Sequence, residues 1–227
     1  ILRACSATDP QMPAGTRQPA RKQAVPGTAG AQGDPRTRRA EQRRLETAHD
    51  AILSVKDLEE HLITVSEIDR GIVVPHVASV KINDVFEDLE KKLLPKAIPR
   101  EVTLSVPTTP ISLEVNTDPK LLKGALYEIV DNAIMYNNKG GTVAVKVSVQ
   151  DENIIFEIEN NGIGILREEQ PIIFTKFFRG SNRGTKIAGS GLGLFVAKEY
   201  VKLLGGKIWF NSDEDKGTTF FVSIPVR

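Results

Sequence analysis

Two short glycine-bearing segments place the tightest limit on what this chain can fold into. Residues 160–165 read Asn-Asn-Gly-Ile-Gly-Ile, and residues 189–194 read Gly-Ser-Gly-Leu-Gly-Leu. Glycine has no Cβ, so such segments allow sharp turns and a close approach of the backbone to a ligand. A G-x-G triplet also arises often in ordinary loops, so each segment alone is weak evidence for a ligand site.

A predicted helix lies ahead of both segments. Asp118 followed by Pro119 is typical of an N-cap and a first helical residue, and the helix is predicted to run through Tyr136. Its apolar stripe consists of Leu122, Leu126, Ile129 and Ala133. Glu128 and Asn132 lie one turn apart on a second stripe. Such a pair is often only a solvated face, but the motifs that follow favour a ligand site.

Alternating and apolar segments predict the other elements. Residues 143–149 and 154–158 alternate with period two and predict a hairpin, and residues 207–211 and 218–225 predict two more strands. A second helix is predicted between the later glycine segment and Gly205. An amphipathic stretch and two strand-like runs precede them, at 77–94, 102–106 and 111–115. Together these patterns predict an α/β layer arrangement.

The first 44 residues differ in composition from the rest. They contain eight arginines and one lysine against three acidic residues, no aromatic residue and almost no large aliphatic residue. Such a segment cannot bury enough apolar surface to offset its conformational entropy, so it is predicted to be a disordered basic tail or linker. A role as a basic arm for anionic partners is the open alternative.

A helix with a coiled-coil seam is predicted over about residues 44–70. Its apolar residues alternate at spacings of three and four, which is typical of helices that pair, and Gly71 fits a C-cap. The seam consists of Ala48, Ala51, Val55, Leu58, Leu62 and Val65. The expected domains are the tail 1–44, a partial pairing helix 45–71 and a larger domain 72–227.

Charge and cysteine content argue against several classes of protein. After residue 44 the chain has 21 basic and 26 acidic residues, and this mildly acidic body argues against nucleic-acid binding. Cys5 is the one cysteine, which allows no intrachain disulfide and fits a reducing cytosol. No apolar run approaches the ~18 residues that a membrane-spanning helix needs, and no signal-peptide layout is present. A cytoplasmic location is therefore expected.

Four motifs in fixed order resemble the N, G1, F and G2 boxes of sensor histidine kinases. They are residues 128–133 (Glu-Ile-Val-Asp-Asn-Ala), 160–165, 174–179 (Phe-Thr-Lys-Phe-Phe-Arg) and 189–194, and residues 65–71 are similar to the end of the second dimerisation helix of those kinases. Four ordered motifs are specific where one glycine motif is not. The resemblance implies a Bergerat ATPase fold, which is a two-layer sandwich of a mixed, largely antiparallel sheet and helices, preceded by a helical dimerisation segment.

The resemblance implies a site for ATP with Mg²⁺. Asn132 matches a metal ligand of the family, and its amide oxygen suits Mg²⁺, which prefers oxygen ligands. Glu128 stands where relatives have a general base or a polar residue that orients the reacting group. Tyr136 matches the family's aromatic residue beside the nucleotide, while Gly162 and Gly164 let the backbone approach the adenine.

A lid over the phosphates is implied by the two later motifs. Arg179 can reach a terminal phosphate with its bidentate guanidinium group. Free N–H groups at the start of the following helix can meet an anionic phosphate. Phe174, Phe177 and Phe178 are expected to anchor the lid to the core. The lid residues assigned to the nucleotide are Gly189, Gly191, Leu192 and Gly193, with Gly184 as a further hinge.

Two positions depart from the family pattern. Asn160 stands where relatives have an acidic residue that accepts a hydrogen bond from the adenine amino group. The Asn160 carbonyl is expected to accept that bond with a loss of about 1 kcal/mol. Met135 stands where a lysine directed at the phosphates is common, and Lys139 is a candidate replacement. Alternatively, Asn160 is only a turn residue and Met135 only core packing.

The three histidines do not supply an expected phosphoryl acceptor. His49 and His61 fall on the predicted second dimerisation helix, and His76 falls in a connector. The resemblance therefore implies the ATP-binding catalytic domain of a two-component sensor histidine kinase that transfers the γ-phosphoryl group of ATP to a histidine outside this chain. The alternatives are a catalytically impaired nucleotide-sensing or dimerisation module and, less favoured, a gyrase-like ATPase.

The same resemblance implies the partners. A homodimer through the helix at 45–71 and a response regulator receiver domain are expected. Nucleic acid is not expected as a partner, nor is membrane contact within this fragment. The expected location is the cytoplasm, including the cytoplasmic part of a membrane-bound sensor.

Overall fold

The computed structural model describes residues 35–107, 113–181 and 189–226. The chain divides into two units, Ile1–Leu45 and Glu46–Arg227. The second unit contains all the elements that position the site.

Helix α1 spans Pro35–Asp69 and so begins before the predicted limit at residue 44. Proline suits the first turn of a helix, and the Arg, Ala, Glu and Gln residues that follow it favour helix formation. The predicted disorder of residues 1–34 lies outside the described residues. The limits of the three expected domains stay predictions.

The described residues contain seven strands in two sheets. They are β1 (Ala78–Lys81), β2 (Thr103–Ser105), β3 (Glu114–Thr117), β4 (Thr142–Gln150), β5 (Asn153–Asn160), β6 (Lys207–Asp213) and β7 (Gly217–Pro225). β1 and β3 form an antiparallel pair, and the other five strands are ordered β2-β4-β5-β7-β6. β2 and β4 run parallel, whereas the other neighbours in the larger sheet run antiparallel. The predicted strand over 111–115 lies partly outside the described residues.

Three further helices share one hydrophobic core with the larger sheet. They are α2 (Ile82–Ala97), α3 (Pro119–Met135) and α4 (Gly193–Leu203). Phe86 of α2 meets Phe156 of β5 edge to face, with ring centroids 6.2 Å apart. This arrangement confirms the predicted two-layer sandwich of helices and a mixed, largely antiparallel sheet. None of the helices in the described residues is both long and apolar enough to cross a bilayer.

Helix α3 begins as its sequence predicts. The carboxylate Oδ1 of Asp118 accepts the N–H groups of Lys120 and Leu121 at 2.8 and 2.9 Å, which satisfies two of the free donors of the first turn. The helix ends at Met135, one residue before the predicted end, because Tyr136 leaves helical geometry. All four residues of its predicted apolar stripe are buried.

Strands β5 and β7 direct two polar residues into the layer between sheet and helices. Asn160 lies opposite Thr218 in the antiparallel register. Because side chains alternate along a strand, Asn160 shares its face with the buried Phe156 and Ile158. Asn160 and Thr218 are only 6% and 5% exposed, so each needs a polar partner in this layer.

Candidate functional site

A cavity opens between α3, the end of β5 and the start of α4. Its volume is about 110 Å³. Most of its lining is apolar, with Tyr136, Ile163, Ile165, Leu166, Ile173, Phe178, Leu194 and Phe220. Asn132 and Asn160 are among its few polar residues. A flat apolar ligand with a polar edge fits this composition.

The glycines of the first motif let its loop pack closely on the end of α3 and the end of β6. A Cβ at Gly162 would overlap the carbonyl oxygen of Tyr136, and a Cβ at Gly164 would overlap that of Asp213. Gly164 also has φ +68°, which favours glycine. Ile163 N–H donates to the Tyr136 carbonyl at 3.2 Å. The loop is therefore held by backbone contacts that a larger residue would disrupt, and Gly164 lines the cavity itself.

Asn160 is already hydrogen-bonded through its carbonyl. Oδ1 accepts the N–H groups of Gly162 at 3.0 Å and of Thr218 at 3.3 Å. An amide oxygen has two lone pairs, and both are used. The expectation that this carbonyl accepts a hydrogen bond from the ligand is therefore wrong. Asn160 therefore both stabilises the turn and lines the cavity.

Glu128 faces away from the cavity, toward α1. Its Oε1 lies 3.0 Å from Nε2 of His61, and Nδ1 of the same imidazole lies 3.0 Å from Oγ of Ser190. A Cβ at Gly193 would overlap the Glu128 carboxylate, whereas Gly193 also lines the cavity. Glu128 and Asn132 thus lie on the two sides of the cavity wall, and only Asn132 lines the cavity.

The charge of Glu128 governs the titration of His61. Burial lowers the pKa of His61, but the hydrogen bond and the charge of Glu128, with smaller contributions from Asp57 and Asp131, raise it above its ordinary value. The Glu128 carboxylate therefore stabilises the protonated form of the His61 imidazole. Sequence reasoning did not place His61 here, because 67 residues separate the two partners and no local pattern joins them.

The last turns of α1 dock onto the lid and the neighbouring loop through one helix face. His61, Val65 and Asp69 are spaced four residues apart, which places them on the same face. Val65 is buried with Leu192 and Val196. Asp69 pairs with Lys176 of the third motif at 2.6 Å. Helix α1 therefore contacts Ser190 and Leu192 of the lid and Lys176 of the third motif.

Leu192 differs from its predicted place. Its side chain is fully buried against Val65 of α1 and does not line the cavity, because its apolar partner lies on the opposite side. Its N–H donates to the Ser190 hydroxyl at 3.2 Å. Gly191 lines the cavity, and Gly189 lies beside Met135, with a Cβ at Gly189 3.9 Å from the Met135 methyl group. Gly184 lies outside the described residues.

The third motif places its aromatic residues in three environments. Phe174 packs on Phe210 and Phe220 with centroids 6.0 and 6.4 Å apart, and Phe178 lines the cavity. Phe177 is 60% exposed, so its expected role as an anchor is wrong. Its φ of +61° turns the chain and directs the ring outward.

The basic residues considered for the phosphates lie at the rim. Arg179 is exposed beside the cavity, and its charge acts on Tyr136. Burial raises the pKa of Tyr136, and Arg179 opposes that shift. Lys139 pairs with Glu101 at 2.8 Å, so it is engaged outside the cavity and is not placed to replace the missing lysine at position 135.

Asp131 occupies the opposite side of α3 from the cavity. Its Oδ1 lies 3.1 Å from Lys96 Nζ of α2, although the pair lacks hydrogen-bond alignment. Burial raises the pKa of Asp131, and the charge of Lys96 lowers it. Asp131 is therefore a contact between helices rather than a group that faces the ligand.

The donor set suits a metal that a ligand brings with it. Among the described residues, no group of three or more His, Cys, Asp or Glu side chains is placed to hold a metal ion. Asn132 presents a neutral amide at the cavity. Mg²⁺ often keeps several waters and binds substrate phosphates with few protein ligands. One amide oxygen fits that mode of binding.

Comparison with known proteins gives matches to one group. Residues 117–227 match the family described as "Histidine kinase-, DNA gyrase B-, and HSP90-like ATPase". The signal transduction histidine-protein kinase ArlS of Staphylococcus aureus (strain USA300) is 32% identical over 164 residues, which are 72% of this chain and 36% of ArlS. The chain thus spans about a third of the length of that relative.

Solved structures of histidine kinases also match this chain. The mycobacterial sensor histidine kinase MprB aligns with a TM-score of 0.56 at 26% identity and covers 67% of this chain and 99% of that one. The histidine kinase ThkA in complex with the response regulator protein TrrA aligns with a TM-score of 0.60 over 76% of this chain and 49% of that one. At 21% identity the second match shows the fold alone.

Proposed function

We propose that this chain transfers the γ-phosphoryl group of ATP to a histidine. The premise is that it belongs, through residues 117–227, to the family of histidine kinase-, DNA gyrase B- and HSP90-like ATPases. Residues 117–227 are the ATP-binding domain of a sensor histidine kinase. The observation that carries the proposal is the cavity that Asn132 and Gly191 line, with Glu128 one helical turn before Asn132 on α3.

The residues around the cavity divide the work of binding. The base lies in the apolar slot beside Tyr136, and the phosphates extend toward Gly191 and Gly193. Arg179 reaches in from the rim to balance phosphate charge. Asn132 would hold Mg²⁺ through its amide oxygen, and the metal would supply electrostatic stabilisation of the phosphates.

Glu128 acts on the acceptor. A carboxylate accepts the imidazole N–H, which orients the ring and takes its proton as the other nitrogen attacks phosphorus. In this structure His61 is hydrogen-bonded to the Glu128 carboxylate, so the acceptor imidazole has to displace His61 before it can bind Glu128. Undocking of α1 at its last turns is then part of the catalytic cycle.

Partners follow from the exposed side of α1. Val55 and Leu62 are 66% and 45% exposed, although both belong to the predicted seam. Pairing of two copies through residues 45–71 would bury them. A response regulator receiver domain is the downstream partner, as the complex of ThkA with TrrA supports. The use of ATP places this domain in the cytoplasm.

A nucleotide-sensing module without transfer is the second candidate. It is favoured by the contact of His61 with Glu128, which blocks the proposed base, and by the absence of a lysine at Met135. In that case the nucleotide would change how α1 docks and pairs without passing on a phosphoryl group.

Labelling separates the two candidates. The chain is mixed with ATP labelled at the γ-phosphoryl group and with a separate dimerisation domain that carries an acceptor histidine. Transfer predicts acid-labile label on the added domain and its loss in Asn132→Ala, while Asn138→Ala, an exposed asparagine beyond α3, keeps it. Nucleotide binding without label would support the sensing module and contradict the kinase.

A further inference from the structure

Asn160 is one of the two most buried polar residues of the cavity, and its side chain presents a hydrogen-bond donor. Oδ1 of Asn160 accepts two backbone N–H groups, from Gly162 and Thr218. Backbone N–H groups only donate, so the oxygen and not the nitrogen of the amide must face them. The orientation of the side-chain amide is fixed by this pairing.

The amino group of Asn160 is left for a ligand. Nδ2 has no hydrogen bond to any other described residue. Asn160 lines the cavity on the face of β5 that carries Ile158. Nδ2 is therefore a donor without a partner among the described residues, on a side chain that lines the cavity.

A purine nucleotide meets this donor with its C6 edge. Asn132 and Gly191 also line the cavity and are less buried than Asn160, so a nucleotide whose ribose and phosphates lay near them would direct the edge opposite its glycosidic nitrogen toward Asn160. Adenine has an amino donor at C6, whereas 6-oxopurines have a carbonyl acceptor there. A donor that faces a donor in a buried site leaves a group unpaired, which weakens binding.

We propose that Asn160 removes the preference for adenine, so that inosine triphosphate binds at least as tightly as ATP. The proposal rests on the proposed function, because it takes the purine to lie in this cavity. ATP binds through N1 as the acceptor of the Asn160 amino group, and its 6-amino group stays unpaired. The 6-oxo carbonyl of inosine triphosphate accepts the same donor, and its N1–H stays unpaired, so each base leaves one donor without a partner at this residue.

The test compares ATP with inosine triphosphate, which differ only at C6 and in the proton on N1. Their dissociation constants are measured with Mg²⁺ by isothermal titration for the full chain and for Asn160→Asp. An aspartate keeps one oxygen for Gly162 and Thr218 and offers the other to the adenine amino group. The wild type is expected to bind inosine triphosphate at least as well as ATP. The substitution shifts the ratio about tenfold toward ATP.

A neighbouring residue gives the matched control. Asn161→Asp makes the same change of charge next to the cavity, and Asn161 Oδ1 accepts the Thr142 N–H at 2.7 Å outside it. The control is expected to leave the ratio at the wild-type value. A tenfold preference of the wild type for ATP, or an unchanged ratio in Asn160→Asp, would overturn the assignment. Failure of both nucleotides to bind either protein would instead contradict the proposed function.

Discussion

The base end of the cavity and its lid end are held by different kinds of contact. At the base end, Gly162 and Gly164 pack directly on backbone carbonyls, and Asn160 bonds backbone N–H groups. At the lid end, Gly191 also packs on a backbone carbonyl, that of Phe178, but the described contacts with α1 are made by side chains, chiefly His61 on Ser190 and Val65 on Leu192.

This difference separates recognition from control. Backbone contacts within one core persist as long as the domain is folded, so the base end is preformed. Side chains on one helix face are released together when that helix moves, without loss of the core. We therefore expect the base end to set which nucleotide binds and α1 to set when the lid and Glu128 are available.

The largest effect is expected at the base end, from Gly164→Ala. A Cβ there overlaps the Asp213 carbonyl and φ is +68°, so the substitution should cost about 2–4 kcal/mol and abolish nucleotide binding. Gly140→Ala is the matched control, because Gly140 has φ +75° and open space around it. Urea unfolding should show a cost of about 1 kcal/mol for the control. Equal costs would contradict the tight packing of this loop.

At the lid end, Val65→Ala should release α1 rather than unfold the domain. Val65 is 7% exposed, and its truncation is expected to cost about 1–2 kcal/mol of docking and to increase hydrogen exchange over residues 61–69. Ile63→Ala removes a side chain that is 53% exposed on the same helix and should cost under about 0.5 kcal/mol. Nucleotide affinity changes little in either variant. A loss of affinity in Val65→Ala would contradict the separation of the two ends.

A pH dependence should distinguish the lid contact from the base end. The pKa of His61 is raised in the folded state, mainly by Glu128 against the effect of burial, so its stabilisation is fully present below its ordinary pKa of about 6.5 and is lost as pH rises through the raised value. The difference in unfolding free energy between wild type and His61→Gln should therefore fall by about 1 kcal/mol with rising pH. The charged and titratable groups that line the same cavity as His61 are Asp57, Glu60, Asp88, Lys92, Lys96, Lys120, Lys123, Tyr127, Glu128, Asp131 and Tyr200. If the difference in unfolding free energy did not change with pH, the contact of His61 with Glu128 would not be an ion pair.

The smallest effect is expected from the pair of Asp69 with Lys176. Both side chains are partly exposed, and such pairs contribute about 0.2–1 kcal/mol, screened by salt. Asp69→Asn should loosen α1 slightly at low salt and have no effect at about 1 M salt. Thermal unfolding at the two salt concentrations checks this, and an effect that salt does not change would contradict a simple ion pair.

The backbone positions around the cavity were predictable from sequence, whereas the side-chain contacts of α1 and of Asn160 were not. The N-cap at Asp118, the stripe of α3 and the glycine motifs are local signals, so the fold and the positions of Asn132 and Gly164 follow from them. The contact of His61 with Glu128 joins residues far apart in the chain, where periodicity carries no information. The hydrogen bonds of Asn160 depend on the register of β5 with β7, which no local pattern fixes.

Isothermal titration of Mg²⁺-ATP into the full chain and into Asn132→Ala tests most directly that this cavity binds nucleotide. The wild type should bind one nucleotide with a dissociation constant below about 1 mM. Asn132→Ala should lose the dependence of that binding on Mg²⁺. Absence of binding to the wild type at millimolar ATP, or Mg²⁺-dependent binding that is unchanged in Asn132→Ala, would contradict the assignment of the cavity.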